Sequence, residues 1–271
     1  MIRRNILRLV LVLPLLASEI AEAKQKKHKV EFANNPVVAH RGAFKANGFP
    51  ENSIAALREA IRLGCTGSEF DVHMTADDAL IINHDPHFHG LEIEKSSYAE
   101  LSSFKLSNGE PLPTLRQYLQ EGMRNNTQTR LVLEIKPSRL GSERAEKIVD
   151  AVVALVKELK AEPYIVYISF DYKMMLRLKK LLPNAPLQYL NGEKSPEELK
   201  ADGINGIDYH FAVYDAHADW AERAKKEKLA LNAWTVNDPA IMDKLLNQGF
   251  DFITTNEPEL LLKKWKERSS K

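Results

Sequence analysis

The chain has 271 residues, 44% of them hydrophobic and 28% charged, with a formal net charge of +1. That is ordinary globular composition; the near-neutral balance excludes the basic footprint of a nucleic-acid-binding protein, and the single cysteine, Cys65, excludes an intrachain disulfide. Cys65 follows Leu63-Gly64 at the end of a helical pattern and reads as a small buried apolar residue rather than a reactive thiol.

At the N-terminus Arg3, Arg4 and Arg8 precede the apolar run Leu9 to Ala17, and Ala21-Glu22-Ala23 offers an A-x-A cleavage site. This is the three-part pattern of an export signal, residues 1–23, and the run is too short for a lasting membrane anchor. The competing reading is an N-terminal helix kept in the fold. No cysteine lies near the cleavage site, which argues against a lipoprotein. The expectation is a mature chain, residues 24–271, that is secreted or periplasmic and has no stable membrane span.

A short apolar strand, Val37 to Ala39, ends at His40-Arg41-Gly42. Asn52 or Ser53 caps a helix through Leu63 that Gly64 ends. A second strand runs from about Ser68 to Met74, and Leu80 to His84 is a further extended run. Residues 86–112 are less regular and read as a small insertion, with a short helix near Tyr98 to Phe104. The rhythm then returns: helix Thr114 to Arg124, strand Arg130 to Ile135, helix Ser142 to Lys160, strand Tyr164 to Ser169. Helix Tyr172 to Leu182, strand Leu187 to Leu190, a short helix Pro196 to Ala201 and strand Gly206 to Tyr209 follow. Helix Ala216 to Glu227, strand Leu229 to Thr235, helix Pro239 to Gln248, strand Phe250 to Thr254 and helix Glu257 to Lys266 complete the chain. Strands alternating with helices argue for parallel βα units. Eight such units predict a one-domain (β/α)8 TIM barrel with the insertion after its second strand. An open doubly wound sheet is the alternative, weakened by the lack of a G-x-G-x-x-G after the first strand.

Barrel enzymes carry their chemistry at the C-terminal strand ends. His40 and Arg41 end the first strand. Period two puts Glu69 and Asp71 on one face of the second strand, with Phe70 and Val72 on the other. Glu134 and Lys136 share a face at the end of the next, so three carboxylates converge near the mouth. Crowded carboxylates repel and would hold protons; a divalent cation removes the conflict, and all-oxygen ligands suit Mg²⁺ or Ca²⁺. The competing reading is a buried ion network with Arg41 and Lys136. His40 and His84, each ending an apolar strand, suit acid–base work near neutral pH. Asp85 either orients a neighbour or caps a turn. His73, His87 and His89 carry a weaker case, and His28, His210 and His217 none.

These residues stand in an order that resembles the glycerophosphodiester phosphodiesterase family: HRG at 40–42, PEN at 50–52, EFDV at 69–72, HD at 84–85, LPTL at 112–115, LEIK at 133–136, SF at 169–170, WTVN at 234–237 and ITTNEP at 253–258. Asp78 replaces a more usual Gly in a turn, and Thr255-Asn256 replaces a more usual Thr-Asp, read here as a small departure. The resemblance implies a (β/α)8 barrel that hydrolyses small-molecule glycerophosphodiesters to glycerol 3-phosphate and an alcohol. It implies one divalent cation, Ca²⁺ or Mg²⁺, on Glu69, Asp71 and Glu134, with Glu51 completing the shell or orienting Arg41. It makes His40 and His84 the acid–base pair and Arg41 and Lys136 the phosphate-binding residues. Trp234 would wall the glycerol or head group, or else simply pack. Alternatives are inositol-side cleavage of glycerophosphoinositol, a lysophospholipase D-type reaction, or a non-catalytic phosphate-ester binding protein. The sequence assigns no head group or oligomeric state.

Overall fold

The computed structural model describes residues 30–269; the expected export signal, residues 1–23, lies outside them. Eight parallel strands form a closed barrel: β1 (Val37–Ala39), β2 (Gly67–Met74), β3 (Arg130–Ile135), β4 (Ile165–Ser169), β5 (Leu187–Tyr189), β6 (Gly206–His210), β7 (Ala230–Trp234) and β8 (Phe252–Thr255). Successive strands pair, and β1 pairs with both β2 and β8, which closes the ring. Each strand begins within two residues of its predicted start.

Alternation along the strands sorts the side chains. Phe70, Val72 and Met74 of β2 and Leu131, Leu133 and Ile135 of β3 point outward into the main core under the helices. The opposite parity fills the lumen. Val38, Val132, Val166, Ile168 and Leu190 form its apolar cluster, joined by Phe170, Trp234 and Phe252. Gly67 leaves room there, since a Cβ would lie 3.1 Å from Val38 and 3.2 Å from Val132. At the N-terminal end the Arg130 guanidinium stacks 4.1 Å from the Phe32 ring centre and 5.2 Å from that of Phe252, closing the floor. A packed lumen with a plugged floor leaves only the C-terminal mouth for a ligand.

The extended run after β2 forms a strand, Leu80–Ile82, that pairs antiparallel with the upper half of β2. It continues the edge where β1, which reaches only Gly67 and Ser68, stops. This hairpin carries His84 back over the mouth. The insertion holds a two-stranded hairpin and a short helix, Tyr98–Leu101, over its own cluster of Ile81, Phe88, Ile93, Leu101 and Leu112.

One predicted helix is corrected. Residues 216–227 are not continuous: the chain forms Phe211–Ala216 and then Trp220–Lys226. The first turn has no Ser, Thr, Asp or Asn cap to announce it. Instead Nδ1 of His210 accepts from the Ala212 N–H at 3.3 Å. His217 breaks the run, its ring stacked on Trp220 with centres 4.0 Å apart. Buried Tyr214 anchors the first piece through a 2.5 Å bond from its hydroxyl to the Asn232 carbonyl. Among the described residues no helix is long and apolar enough to cross a membrane. Cys65 is buried, and burial pushes its thiol up to about 12, in keeping with an inert core residue.

Candidate active site

The tight turn after β1 builds half of the site. Arg41 and Gly42 both adopt left-handed backbone, φ 53° and 80°. Glycine is required at the second position, where a Cβ would lie 2.7 Å from Ala56. The turn aims the Arg41 N–H at Glu69, donating to Oε2 at 2.8 Å. Arg41 also accepts at its carbonyl from the Asn52 N–H at 2.9 Å, which docks the 50–52 segment on the turn. Asn52, also left-handed at φ 60°, then grips Asp71 twice. Its Nδ2 donates to Asp71 Oδ2 at 2.7 Å, and its Oδ1 accepts from the Asp71 N–H at 3.2 Å. The helix cap falls to Ser53, whose hydroxyl accepts from the Ala56 N–H at 3.0 Å.

The second half comes from β2 and β3. Asp71 and Glu134 are register partners on these neighbouring strands, and Glu69 lies one inward position below Asp71. Glu69, Asp71 and Glu134 are all buried and each offers an oxygen within 4.8 Å of the others. Lys136 reaches back over them, its Nζ 2.8 Å from Asp71 Oδ1 and 2.8 Å from Glu134 Oε1. Neither contact is aligned as a hydrogen bond, and Glu69 Oε1 has no partner. The competing ion-network reading is therefore half present: one ammonium serves two of three buried acids. Three converging carboxyls and the orphaned Glu69 oxygen suit a hard divalent cation with oxygen ligands. Glu51 is not among these acids. It is half exposed and clasps the Arg41 guanidinium at 2.8 and 2.9 Å, which leaves it orienting Arg41. Arg41 Nε lies 3.8 Å from Asp71.

Charge crowding has the expected consequences. Burial, with Asp71 and Glu134 nearby, holds the Glu69 carboxyl well above the usual carboxylate range. Burial and the Asp71 charge push Glu134 up to about 8. Burial alone would raise Asp71 as well, but Lys136, His84 and the Asn52 amide together outweigh it and draw it down to about 2. Asp71 thus carries the standing negative charge of the trio.

Two histidines flank this cluster. His40 Nδ1 lies 2.7 Å from Asn256 Oδ1, so the proton sits on Nδ1 and Nε2 is left as the free nitrogen, 3.9 Å from Glu69. Burial and the neighbouring Arg41 lower His40 to about 4, so it is neutral near pH 7. His84 Nδ1 lies 2.8 Å from Asp85 Oδ1, so Asp85 orients its neighbour rather than capping the turn. Buried His73 supports His84 from behind, Nε2 donating to the His84 carbonyl at 3.2 Å. His87 is exposed, and His89 stacks on Phe104 in the insertion.

A cavity of about 100 Å³ gathers most of these residues: His40, Arg41, Glu69, His84, Glu134 and Lys136 line it with Trp234 and Asp208. Trp234 is half-buried, edge-on to Phe170 at 5.3 Å, and its indole N–H donates to the Asp208 carbonyl at 2.8 Å. Phe88 and Phe104 pack in the insertion and build no apolar entrance. Sequence reasoning missed Asn52 as the holder of Asp71, and took Asn256 for a small departure although it is the partner of His40. It also passed over Asp208. The only signals were the PEN motif, a polar residue directly after an apolar strand, and the inward parity of β6.

Residues 40–260 match the glycerophosphoryl diester phosphodiesterase family. The chain is 28% identical over 245 residues to a glycerophosphodiester phosphodiesterase of Caldanaerobacter subterraneus, covering 83% of this chain and 96% of that protein. The crystal structure of a glycerophosphodiester phosphodiesterase from Parabacteroides distasonis superposes with a TM-score of 0.84 at 41% identity, over 88% of this chain and all of that one. A phosphodiesterase of Oleispira antarctica, solved with its product sn-glycerol 3-phosphate, superposes with a TM-score of 0.71 at 25% identity, over 87% of this chain and 96% of that one.

Proposed function

The chain belongs to the glycerophosphoryl diester phosphodiesterase family and is an enzyme of it, and on that premise we propose that it hydrolyses glycerophosphodiesters to glycerol 3-phosphate and an alcohol, with a divalent cation and a His40–His84 acid–base pair. One observation carries this reading: His40, His84, Glu69 and Glu134 line a single cavity, and Asp71 offers an oxygen within 4.8 Å of the two glutamates. Held on those three acids, a Mg²⁺ or Ca²⁺ ion would polarise the phosphate and lower the pKa of a coordinated hydroxyl.

The chain's own groups do the rest. Arg41, braced by Glu51, and Lys136 bring positive charge to the phosphate and offset charge developing on its oxygens. His40 is the neutral imidazole with a free Nε2, so it takes the proton of the attacking oxygen, whether that belongs to water or to a glycerol hydroxyl. His84 lies nearer solvent, 33% exposed against 18% for His40, and gives a proton to the alkoxide leaving on that side. Asn256, as an amide, fixes the His40 tautomer without adding charge. Asn256→Asp would set a carboxylate against Nδ1 and favour the imidazolium. The base form is then lost at higher pH, so the acidic limb of kcat/KM is expected to move up by about one to two pH units. A pH–rate profile with an unmoved acidic limb would remove His40 from the base role.

The test of the activity is release of glycerol 3-phosphate from glycerophosphocholine, glycerophosphoethanolamine and glycerophosphoinositol, with chelator and with added Mg²⁺ or Ca²⁺. Cation-restored release is the expected result. Inositol phosphate without glycerol 3-phosphate would transfer cleavage to the other side of phosphorus; ligand binding with no turnover would make this a binding protein. We further propose that residues 1–23 are an export signal and that the enzyme recovers phospholipid head groups outside the cytoplasm. Arg3, Arg4, Arg8, the apolar run and Ala21-Glu22-Ala23 support this. N-terminal sequencing of protein from the native compartment is expected to begin at Lys24; an intact Met1 on the active enzyme would exclude cleavage.

A further inference from the structure

Asp208 is the one inward-facing acid of the cavity wall that the chemistry above does not use. It lies on β6, across the lumen from β2, and is 1% exposed. Its Oδ1 has no hydrogen-bond partner, and among the described residues no cation pairs with it. It stands outside the acidic trio. Its register partner Asn232 is engaged elsewhere, with Gln188 and Thr254. Its own carbonyl holds the Trp234 indole, so the backbone here is fixed. A buried, unpartnered carboxyl costs stability and is uncommon without a use.

Its surroundings select the ligand. Asp208 shares the cavity wall with the apolar Ile168, Leu190, Phe170 and Trp234, with Glu134 near enough to act on its charge. Burial, with the Glu134 charge nearby, holds that carboxyl well above its usual range. Its buried, unpartnered oxygen is free to hydrogen-bond a ligand hydroxyl that reaches into the wall. The alcohol released by the reaction varies in size and must leave through the mouth, past His84. The glycerol unit is small and constant, with carbons to lay on apolar walls and a hydroxyl left over. Resting on the reading that glycerophosphodiesters are the substrates, we propose that Asp208 is a specificity-determining residue that hydrogen-bonds the terminal hydroxyl of the glycerol unit, in the recess walled by Trp234 and Phe170.

The test compares glycerophosphocholine with its analogue lacking that hydroxyl, the phosphocholine ester of propane-1,2-diol, and with a glycerol diester of uncharged ethanol. The wild-type enzyme is expected to prefer glycerophosphocholine over the analogue by at least about tenfold in kcat/KM. In Asp208→Leu that preference should collapse toward unity, the loss appearing in KM for both glycerol substrates. Asp208→Asn, which keeps a donor and an acceptor, should retain part of it. A wild-type enzyme that turns over glycerophosphocholine but is indifferent to the hydroxyl overturns the assignment while leaving the proposed activity standing. So does an Asp208→Leu enzyme that loses the same factor on all three substrates, the mark of a structural role. A loss confined to the choline substrates would place the carboxyl on the ammonium instead and also overturn it. Absence of turnover of every glycerol diester by the wild type would remove the activity and the assignment together.

Discussion

His40→Ala is expected to lower kcat by about two to four orders of magnitude, with the protein still folded. The size follows from position. His40 lines the cavity, its surroundings hold it neutral, and its free nitrogen lies beside Glu69. Lys136 cannot stand in for it, being an ammonium committed to Asp71 and Glu134 and held in its charged form by them. The fold should tolerate the change, since the side-chain bond lost is the one to Asn256, while the His40 backbone N–H keeps its 2.9 Å bond to Thr255. His84→Ala is expected to fall in the same range on substrates with a poor leaving group. It should fall much less on a diester of p-nitrophenol, whose alkoxide needs no proton. Single-turnover rates on both substrate types separate the roles. Equal losses for both variants on the activated ester would reverse or merge the assignment.

Much of this frame is legible in the sequence for identifiable reasons. Strands of a barrel are buried on both faces, so each reads as an apolar run broken by turn residues, and eight of them could be counted. The acids stand out because Glu69 and Asp71 alternate with Phe70 and Val72 and the pairing strand carries Glu134 opposite Asp71. What the chain does not display are partnerships made across long separations. Asn52 reads as a helix cap because helices start that way, yet it closes on Asp71 nineteen residues away. Asn256 meets His40 only because β8 returns to lie beside β1. Asp208 looks like any acid near a strand end until the register puts it inside the ring. The split after β6 escaped because a histidine and an aromatic stack, rather than a conventional cap and breaker, define it.

Removing the acidic trio should cost at least as much as removing a histidine. Asp71→Asn is expected to lower turnover by about three orders of magnitude or more, the loss of several kcal/mol of charge stabilisation at about 1.4 kcal/mol per tenfold. It strips the only acid of the three that is drawn below its ordinary range, and it leaves Lys136 facing Glu134 alone. Glu69→Gln removes an oxygen that now has no partner, so it should abolish cation binding with less harm to the cation-free fold. Thermal unfolding distinguishes this from a merely structural trio, and the sign can be worked out. Glu134 is raised to about 8, so with no cation the folded chain keeps a proton there that the unfolded chain has already released. The Glu134 contribution to the stability of the cation-free protein therefore falls as pH rises between the ordinary carboxylate value and about 8. A cation displaces that proton and is paired with the charge it leaves, so its apparent affinity should strengthen with pH across the same window. The rise in Tm on adding saturating Mg²⁺ or Ca²⁺ is accordingly expected to be larger at pH 8 than at pH 6, and to vanish in Glu69→Gln. A Tm indifferent to both cations at both pH values would leave the three acids as an ion network around Lys136 and take the cation out of the mechanism.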